Sequence, residues 1–367
     1  MGTPSKVGTD FQTLHEIVLA AKLNLNQGDW DYIVGGTETE TTLRRNRRAL
    51  DSVAFRPRVL RDVSQIDASQ TFLGRKLRLP LMLAPVGSLE AFTPEGGTAA
   101  GKAAGEFGIA QTLSSVCQPG LEQLAQDVPD TLRAYQLYVR GDAAWIDDVV
   151  KQAIDNGYGA FCLTVDTDKY SRRERDIAKR NERAALRRFA PGREWQERLS
   201  WDYVKHFKDT FDLPLMLKGI ATAEDAALAC EHGVDYVYVS NHGGRQLDHG
   251  RGGLDVLPEV VKAVNGRARV IFDGGIVRGT DIVKAMALGA HMVAMGRMEC
   301  IGLAAAGAAG LVRVLELLEH EVQIALGLLG VTSWETLDAS YLHPAEPVTD
   351  PHMLSAFPLL TLDEGYV

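Results

Sequence analysis

The sequence predicts one α/β domain folded as a (β/α)8 TIM barrel with an N-terminal helical cap and a C-terminal tail, and three observations carry that prediction. Eight short apolar β-type runs recur along the chain, helix-like segments of 3.6-residue periodicity separate them, and every run ends in polar residues or glycine. The runs are Leu81–Ala84, Ile109–Thr112, Ala134–Leu137, Phe161–Thr164, Leu215–Leu217, Tyr236–Val239, Val270–Phe272 and Met292–Met295. Between them, Trp145, Ile146, Val149, Val150, Ala153 and Ile154 fall on one helical face, and Thr222-Ala223-Glu224-Asp225 has the form of a capping box. A chain of 367 residues could make two average domains, but barrels of this kind use that length in one.

The flanks complete the layout of a single domain over 1–367. Residues 1–75 precede the first barrel strand and hold a helical start plus Tyr32-Ile33-Val34-Gly35-Gly36, which reads as a cap. Residues 76–338 form the barrel. The tail, 339–367, sets Pro344, Pro347, Pro351 and Pro358 among Met353, Leu354, Phe357, Leu359 and Leu360. It is too rich in proline for a helix and too apolar to stay in water, so it is expected to pack on a neighbouring subunit.

Composition narrows the function classes. A net charge of −9 argues against a nucleic-acid partner, which needs a broad basic surface. No apolar run reads as a membrane span, and the start Met1-Gly2-Thr3-Pro4-Ser5-Lys6 lacks the apolar core of a secretory signal, so the expectation is a cytoplasmic protein without membrane insertion. Cys117, Cys162, Cys230 and Cys300 are widely spaced, read as reduced, and suggest no metal site. One stretch departs from the acidic average: Arg172, Arg173, Arg175, Lys179, Arg180, Arg183, Arg187, Arg188 and Arg193 crowd a short segment, which reads either as a solvated helix face or as a basic lid that attracts anions.

The chemistry gathers at the C-terminal ends of the runs, where a barrel holds its active site. The sixth ends in Ser240-Asn241-His242-Gly243-Gly244-Arg245-Gln246-Leu247-Asp248, which brings out a proton-transfer group and a carboxylate clamp together. The other ends carry Pro85-Val86-Gly87-Ser88, Ser114, Gln136-Leu137-Tyr138, Thr164-Val165-Asp166, Lys218-Gly219, Asp273-Gly274-Gly275 and Gly296-Arg297. The last two match the usual phosphate position after strands seven and eight. A lone tyrosine or aspartate is structural more often than catalytic, but a full polar ring is hard to explain by packing. Gly96-Gly97-Thr98-Ala99-Ala100-Gly101-Lys102 imitates a P-loop and fails at Ala103, where a hydroxyl should hold magnesium.

These segments, with Phe55-Arg56-Pro57-Arg58-Val59-Leu60, Gln136-Leu137-Tyr138-Val139, Leu163-Thr164-Val165-Asp166-Thr167 and Leu217-Lys218-Gly219, resemble the FMN-dependent 2-hydroxy acid dehydrogenase/oxidase family of glycolate oxidase, lactate oxidase, lactate monooxygenase and mandelate dehydrogenase. The resemblance runs from about Tyr32 to about Leu337. It implies oxidation of an (S)-2-hydroxy acid to the 2-keto acid, with His242 as base and the flavin N5 as hydride acceptor. Asp166 would stabilise the imidazolium, Arg245, Tyr32 and Arg173 would bind the substrate carboxylate, and Tyr138 would touch the substrate oxygen. Lys218 would lie beside the flavin N1 and C2 carbonyl. Pro85, Val86, Gly87, Ser114, Gln136, Thr164 and Ser240 would line the flavin ring, and Asp273, Gly274, Gly275, Gly296 and Arg297 the ribityl phosphate. It further implies a homotetramer or larger assembly and leaves oxygen, a quinone or a protein as electron acceptor.

Departures from the family pattern shape the expectation. Val277 stands where the family usually has a phosphate arginine, so phosphate binding is expected to rest on Arg297 and backbone groups or on Arg278 reaching back. Val116 replaces a bulky tryptophan of glycolate oxidase and Gly87 an alanine of many oxidases; both enlarge the pocket and point to a bulky or aromatic substrate. No long apolar insertion lies between Arg173 and Trp201, unlike in membrane-bound relatives. The alternative is an FMN barrel of another reaction class, an isomerase or an enzyme oxidising a specialised biosynthetic or peptide intermediate.

Overall fold

Eight parallel strands close on themselves in chain order: β1 Leu81–Leu83, β2 Ala110–Ser114, β3 Arg133–Leu137, β4 Ala160–Thr164, β5 Leu215–Ile220, β6 Tyr236–Val239, β7 Arg269–Phe272 and β8 Met292–Met295, with β8 pairing back to β1. The structure, a computed structural model, describes residues 11–180 and 190–360. All eight predicted runs are barrel strands. They were legible because parallel strands buried on both faces read as unbroken apolar runs; Leu81–Leu83 and Tyr236–Val239 are buried throughout.

The barrel interior is packed. Ala110, Ala134 and Ala160 on adjoining strands leave the space that Tyr236, Tyr238, Met82 and Met292 fill, and Phe72 with Leu77 from the hairpin Gln70–Phe72/Arg75–Leu77 plugs the N-terminal end. A second, larger apolar shell lies between the strands and the outer helices, among them Gly97–Phe107, Ala143–Asp155, Ala223–Glu231, Gly253–Val264 and Gly279–Ala287. Thr222 caps its helix by accepting from the Asp225 amide at 3.2 Å, as the capping pattern predicts. On Ala143–Asp155 the predicted face is only partly used: Ile146, Val150 and Ala153 are buried, while Trp145 and Ile154 stay exposed.

The N-terminal cap consists of helices Leu14–Asn24, Gln27–Val34 and Thr41–Asp51. The first packs on the long helix Arg297–Leu329, and the third lies against the loops that follow the strands, where Asn46 bonds Asn241 at 2.9 Å and Arg47 grips Asp281 at 2.8 and 3.0 Å. Arg297–Leu329 is long and apolar enough to cross a membrane by length and composition, which no reading of the runs anticipated. It is broken at Ala306–Gly307, and Met298, Ile301, Leu311, Val314, Leu315 and Leu318 are fully buried in the core shell.

Part of the described tail packs on its own chain. Leu342–Pro344 pairs antiparallel with Val53–Phe55. Phe357 is fully buried, edge-on to His15 at 5.6 Å and beneath the Arg278 guanidinium at 5.9 Å, and Met353 is buried too, while Leu354, Leu359 and Leu360 stay half-buried. Residues 361–367 lie outside the described residues, as do Arg183, Arg187 and Arg188 of the basic stretch. In the rest of that stretch Arg172 pairs with Glu174 and Arg175 with Glu40, whereas Arg173 and Arg193 turn inward.

Candidate active site

One cavity opens at the C-terminal ends of the strands, and it collects most of the polar ring. His242 stands at its centre, on the loop after β6, with φ +56°. Its Nδ1 lies 3.0 Å from Asp166 Oδ1 and 3.3 Å from Oδ2, and its Nε2 lies 3.2 Å from the Tyr138 hydroxyl. A carboxylate can only accept here, so Nδ1 carries the proton and the Nε2 lone pair faces Tyr138 and the cavity. Burial lowers the His242 pKa below its ordinary value and outweighs the attraction of Asp166, so the ring is neutral at neutral pH. For Asp166 burial acts upward, but His242 and Lys218 prevail and hold its carboxyl below the usual range. Burial pushes the Tyr138 phenol up to about 12, so it remains a donor.

Asp166 reaches His242 because β5 gives way beside it. The register of β5 on β6 slips between Lys218 and Ile220, and Gly219 there has φ +119°; a Cβ at Gly219 would stand 2.7 Å from the Asp166 Cβ. The slip also brings Lys218 inward. Its ammonium donates to Ser240 Oγ at 3.1 Å and stands 3.7 Å from Asp273, whose other oxygen accepts from Ser240 at 2.7 Å. Burial would discharge this lysine; Asp273 and Asp166 reverse that and hold it above its ordinary value.

Cations outnumber their partners along the wall. Arg245 lies over the Tyr32 ring at 4.5 Å and donates through Nη1 to the carbonyls of Tyr32 and Gly35 at 2.6 and 3.1 Å. Its Nη2 is buried with no hydrogen-bond partner, and the Asp176 carboxylate is 4.0 Å away. Arg173 donates to Ser171, to the Arg245 carbonyl and to Gln246, and lies over Tyr170 at 4.8 Å. Arg297 bonds only backbone carbonyls, those of Ile33, Gly35 and Gly243 at 2.9 to 3.0 Å. Burial, aided by Arg245, brings its pKa down to about 9. Buried guanidinium groups without carboxylates favour an anionic guest.

Of the expected residues, Tyr32, Pro85, Val86, Gly87, Tyr138, Arg173, Lys218, His242, Arg245, Asp273, Gly274, Gly275, Gly296 and Arg297 line the cavity together. Asp166 stands behind His242. Ser114, Gln136 and Thr164 lie one layer back, in a buried chain where the Ser114 hydroxyl donates to Gln136 at 2.7 Å and the Gln136 amide to Thr164 at 2.9 Å, and Ser240 bridges Lys218 to Asp273. Arg278 does not reach back: it pairs with Glu321, a residue far along the chain, and lies over Phe357. Val277 itself is buried in the wall. Residues that sequence reasoning missed include Asn46 and Arg47 from the cap, Arg140, Tyr170, Arg193 and Gln196 from the segments after β3 and β4, and Met353 from the tail. For Arg193 the basic stretch was a signal, but nothing local distinguished the inward arginines from the solvated ones.

Comparisons with known proteins agree with this geometry. A family model described as FMN-dependent dehydrogenase matches residues 21–344. An L-lactate oxidase of a Nostoc species is 40% identical over 90% of this chain and 97% of its own, and the glycolate oxidase of Spinacia oleracea is 37% identical over 91% and 96%. A crystal structure of mandelate oxidase superposes with a TM-score of 0.83 at 36% identity, covering 92% of this chain and all of that one. A mandelate oxidase variant solved with an FMN adduct superposes with a TM-score of 0.82 at 37% identity, over 91% of this chain and 100% of its own.

Proposed function

Because the chain belongs to the FMN-dependent dehydrogenase family, we propose that it oxidises the C2 hydroxyl of a small 2-hydroxy acid to the keto group, with FMN as cofactor and His242 as general base. The observation that supports this most directly is the placing of His242, held by Asp166 on one nitrogen and facing Tyr138 and the cavity with the other.

In this reading the substrate carboxylate takes the unpartnered Nη2 of Arg245, with Tyr32 and Arg173 beside it. That anchors C2 and its hydroxyl near His242. The hydroxyl displaces the Tyr138 phenol from Nε2, and Tyr138, still protonated, donates to the substrate oxygen. When Nε2 takes the hydroxyl proton, the Asp166 carboxylate at 3.0 Å stabilises the imidazolium. Bound FMN supplies the acceptor for the hydrogen and the electron pair that leave C2. Lys218 offers a permanent positive charge where negative charge gathers on the reduced cofactor.

The cavity residues fit that group. Arg297, a buried guanidinium with carbonyl partners only, suits a phosphate, and Asp273, Gly274, Gly275 and Gly296 adjoin it on the loops after β7 and β8. With Val277 in the wall, Arg278 engaged elsewhere and Arg47 tied to Asp281 and Asp51, this task falls to Arg297, which directly follows β8 and Gly296. The oxidase names of the relatives favour oxygen as the final acceptor over a quinone or a protein.

The test is an anaerobic visible spectrum of the FMN-loaded protein titrated with aliphatic and aromatic (S)-2-hydroxy acids. Bleaching of the flavin bands is expected, and His242→Ala should retain the flavin while its reduction slows by about 10²–10⁴-fold. Reduction of the variant at the unaltered rate would remove His242 from the base role.

A further inference from the structure

Two arginines on the cavity wall have no task in the reaction above. Arg140 follows β3, and Arg193 precedes the short helix Glu194–Glu197; both are half-buried and both line the cavity. Their positions are built. Gln196, nearly fully buried, accepts from the Val139 amide at 2.8 Å and donates to the Thr164 carbonyl at 2.8 Å, which pins the short helix across the ends of β3 and β4. Just before it, Gly192 with φ +76° touches the backbone of Arg140 so closely that a Cβ would stand 2.6 Å from the Arg140 carbonyl oxygen. The two backbones thereby meet, and both side chains line the cavity.

Neither has a carboxylate within ion-pair distance among the described residues. The nearby Glu197 is taken by Lys169 at 2.5 Å. Arg193 lies over the Tyr170 ring at 4.9 Å, and among the described residues its Nη2 is buried with no hydrogen-bond partner and Arg140 donates only to the Val139 carbonyl at 3.4 Å. Arg173, already assigned to the substrate carboxylate, lies over the same Tyr170 ring. A half-buried pair of like charges with an unused donor is unfavourable alone and becomes favourable when an anion bridges it.

We propose that Arg140 and Arg193 form a second anion subsite on the wall of the substrate cavity, and that the substrate is a 2-hydroxy acid with a further carboxylate on its side chain. This rests on the 2-hydroxy acid reading above. It replaces the expectation of a bulky aromatic side chain with that of a dianion.

The experiment compares kcat/KM for flavin reduction between straight-chain (S)-2-hydroxy dicarboxylates and monocarboxylates of equal carbon number, and the dissociation constants of the matching 2-keto acids from the perturbed flavin spectrum. At least one dicarboxylate should exceed its monocarboxylate by about tenfold or more, the worth of a charge-assisted hydrogen bond. Arg193→Gln and Arg140→Gln should each bring that ratio toward one in both measurements, while Lys205→Gln on the outer surface keeps it. Equal use of both series by the unaltered protein, or a ratio that survives in both arginine variants, overturns the subsite and leaves the 2-hydroxy acid reading standing. A flavin that no hydroxy acid bleaches defeats that reading itself, and keto-acid binding without charge preference then removes the subsite as well.

Discussion

His242 shows how one residue's environment sets its chemistry. Burial lowers its pKa below the ordinary 6.5, so the base form is present above that pH and is lost only as pH falls below it. We therefore expect kcat/KM for flavin reduction to be level at neutral pH and to fall on an acid limb below about 6.5. Asp166→Asn removes the attraction that partly offsets burial. Its acid limb should lie at still lower pH even though the rate is smaller; a limb that moves upward would show that Asp166 does not face the imidazole in solution. His242, Arg245, Lys218 and Asp166 were legible because each closes a β-type run within a distinctive polar motif. Arg278 was misread because its partner Glu321 is remote in sequence, and only folding reveals that the pair exists. Arg193 was hidden among the other arginines of the basic stretch, and Arg140 stands alone after β3 with nothing in its neighbours to mark it; only folding places both on the cavity wall.

At the scale of elements, seven of the eight strands were readable to within two residues, since burial on both faces leaves little ambiguity; β5 runs on to Ile220, three residues past the run that was read. The helices were less so. Trp145 and Ile154 satisfy the periodicity of Ala143–Asp155 yet remain exposed, because the neighbouring helices cover a narrower stripe than the pattern offers. The slip in β5 was not legible at all, since Lys218-Gly219 reads equally well as a plain strand end. It has an energetic signature. Gly219→Ala meets both a left-handed φ and the Asp166 side chain, so we expect a loss of about 1–3 kcal/mol of stability, together with slower flavin reduction because Asp166 is pushed off His242. Unchanged denaturation and unchanged reduction would mean the strand tolerates a regular register here.

For the whole molecule, the barrel, the cap and the tail share one core. The cap was expected to cover the barrel and does more, since Asn46 and Arg47 enter the cavity wall. The tail was expected on another subunit, an inference from composition that could not tell which apolar surface it would meet. Phe357 is fully buried against His15 and Arg278, so Phe357→Ala should cost about 3–5 kcal/mol in chemical denaturation. A loss below 1 kcal/mol would place the tail off the body in solution.

Met353 carries this further, because it joins that tail to the cavity wall. A segment that both docks on the body and completes a pocket obeys reciprocity: whatever fills the pocket tightens the dock, and whatever loosens the dock weakens the filling by the same factor. Added FMN should slow cleavage of the tail by a protease in the apoprotein, and Met353→Ala should raise the FMN dissociation constant while shrinking that protection. The end of the chain would then act as a latch whose strength can be read from either side.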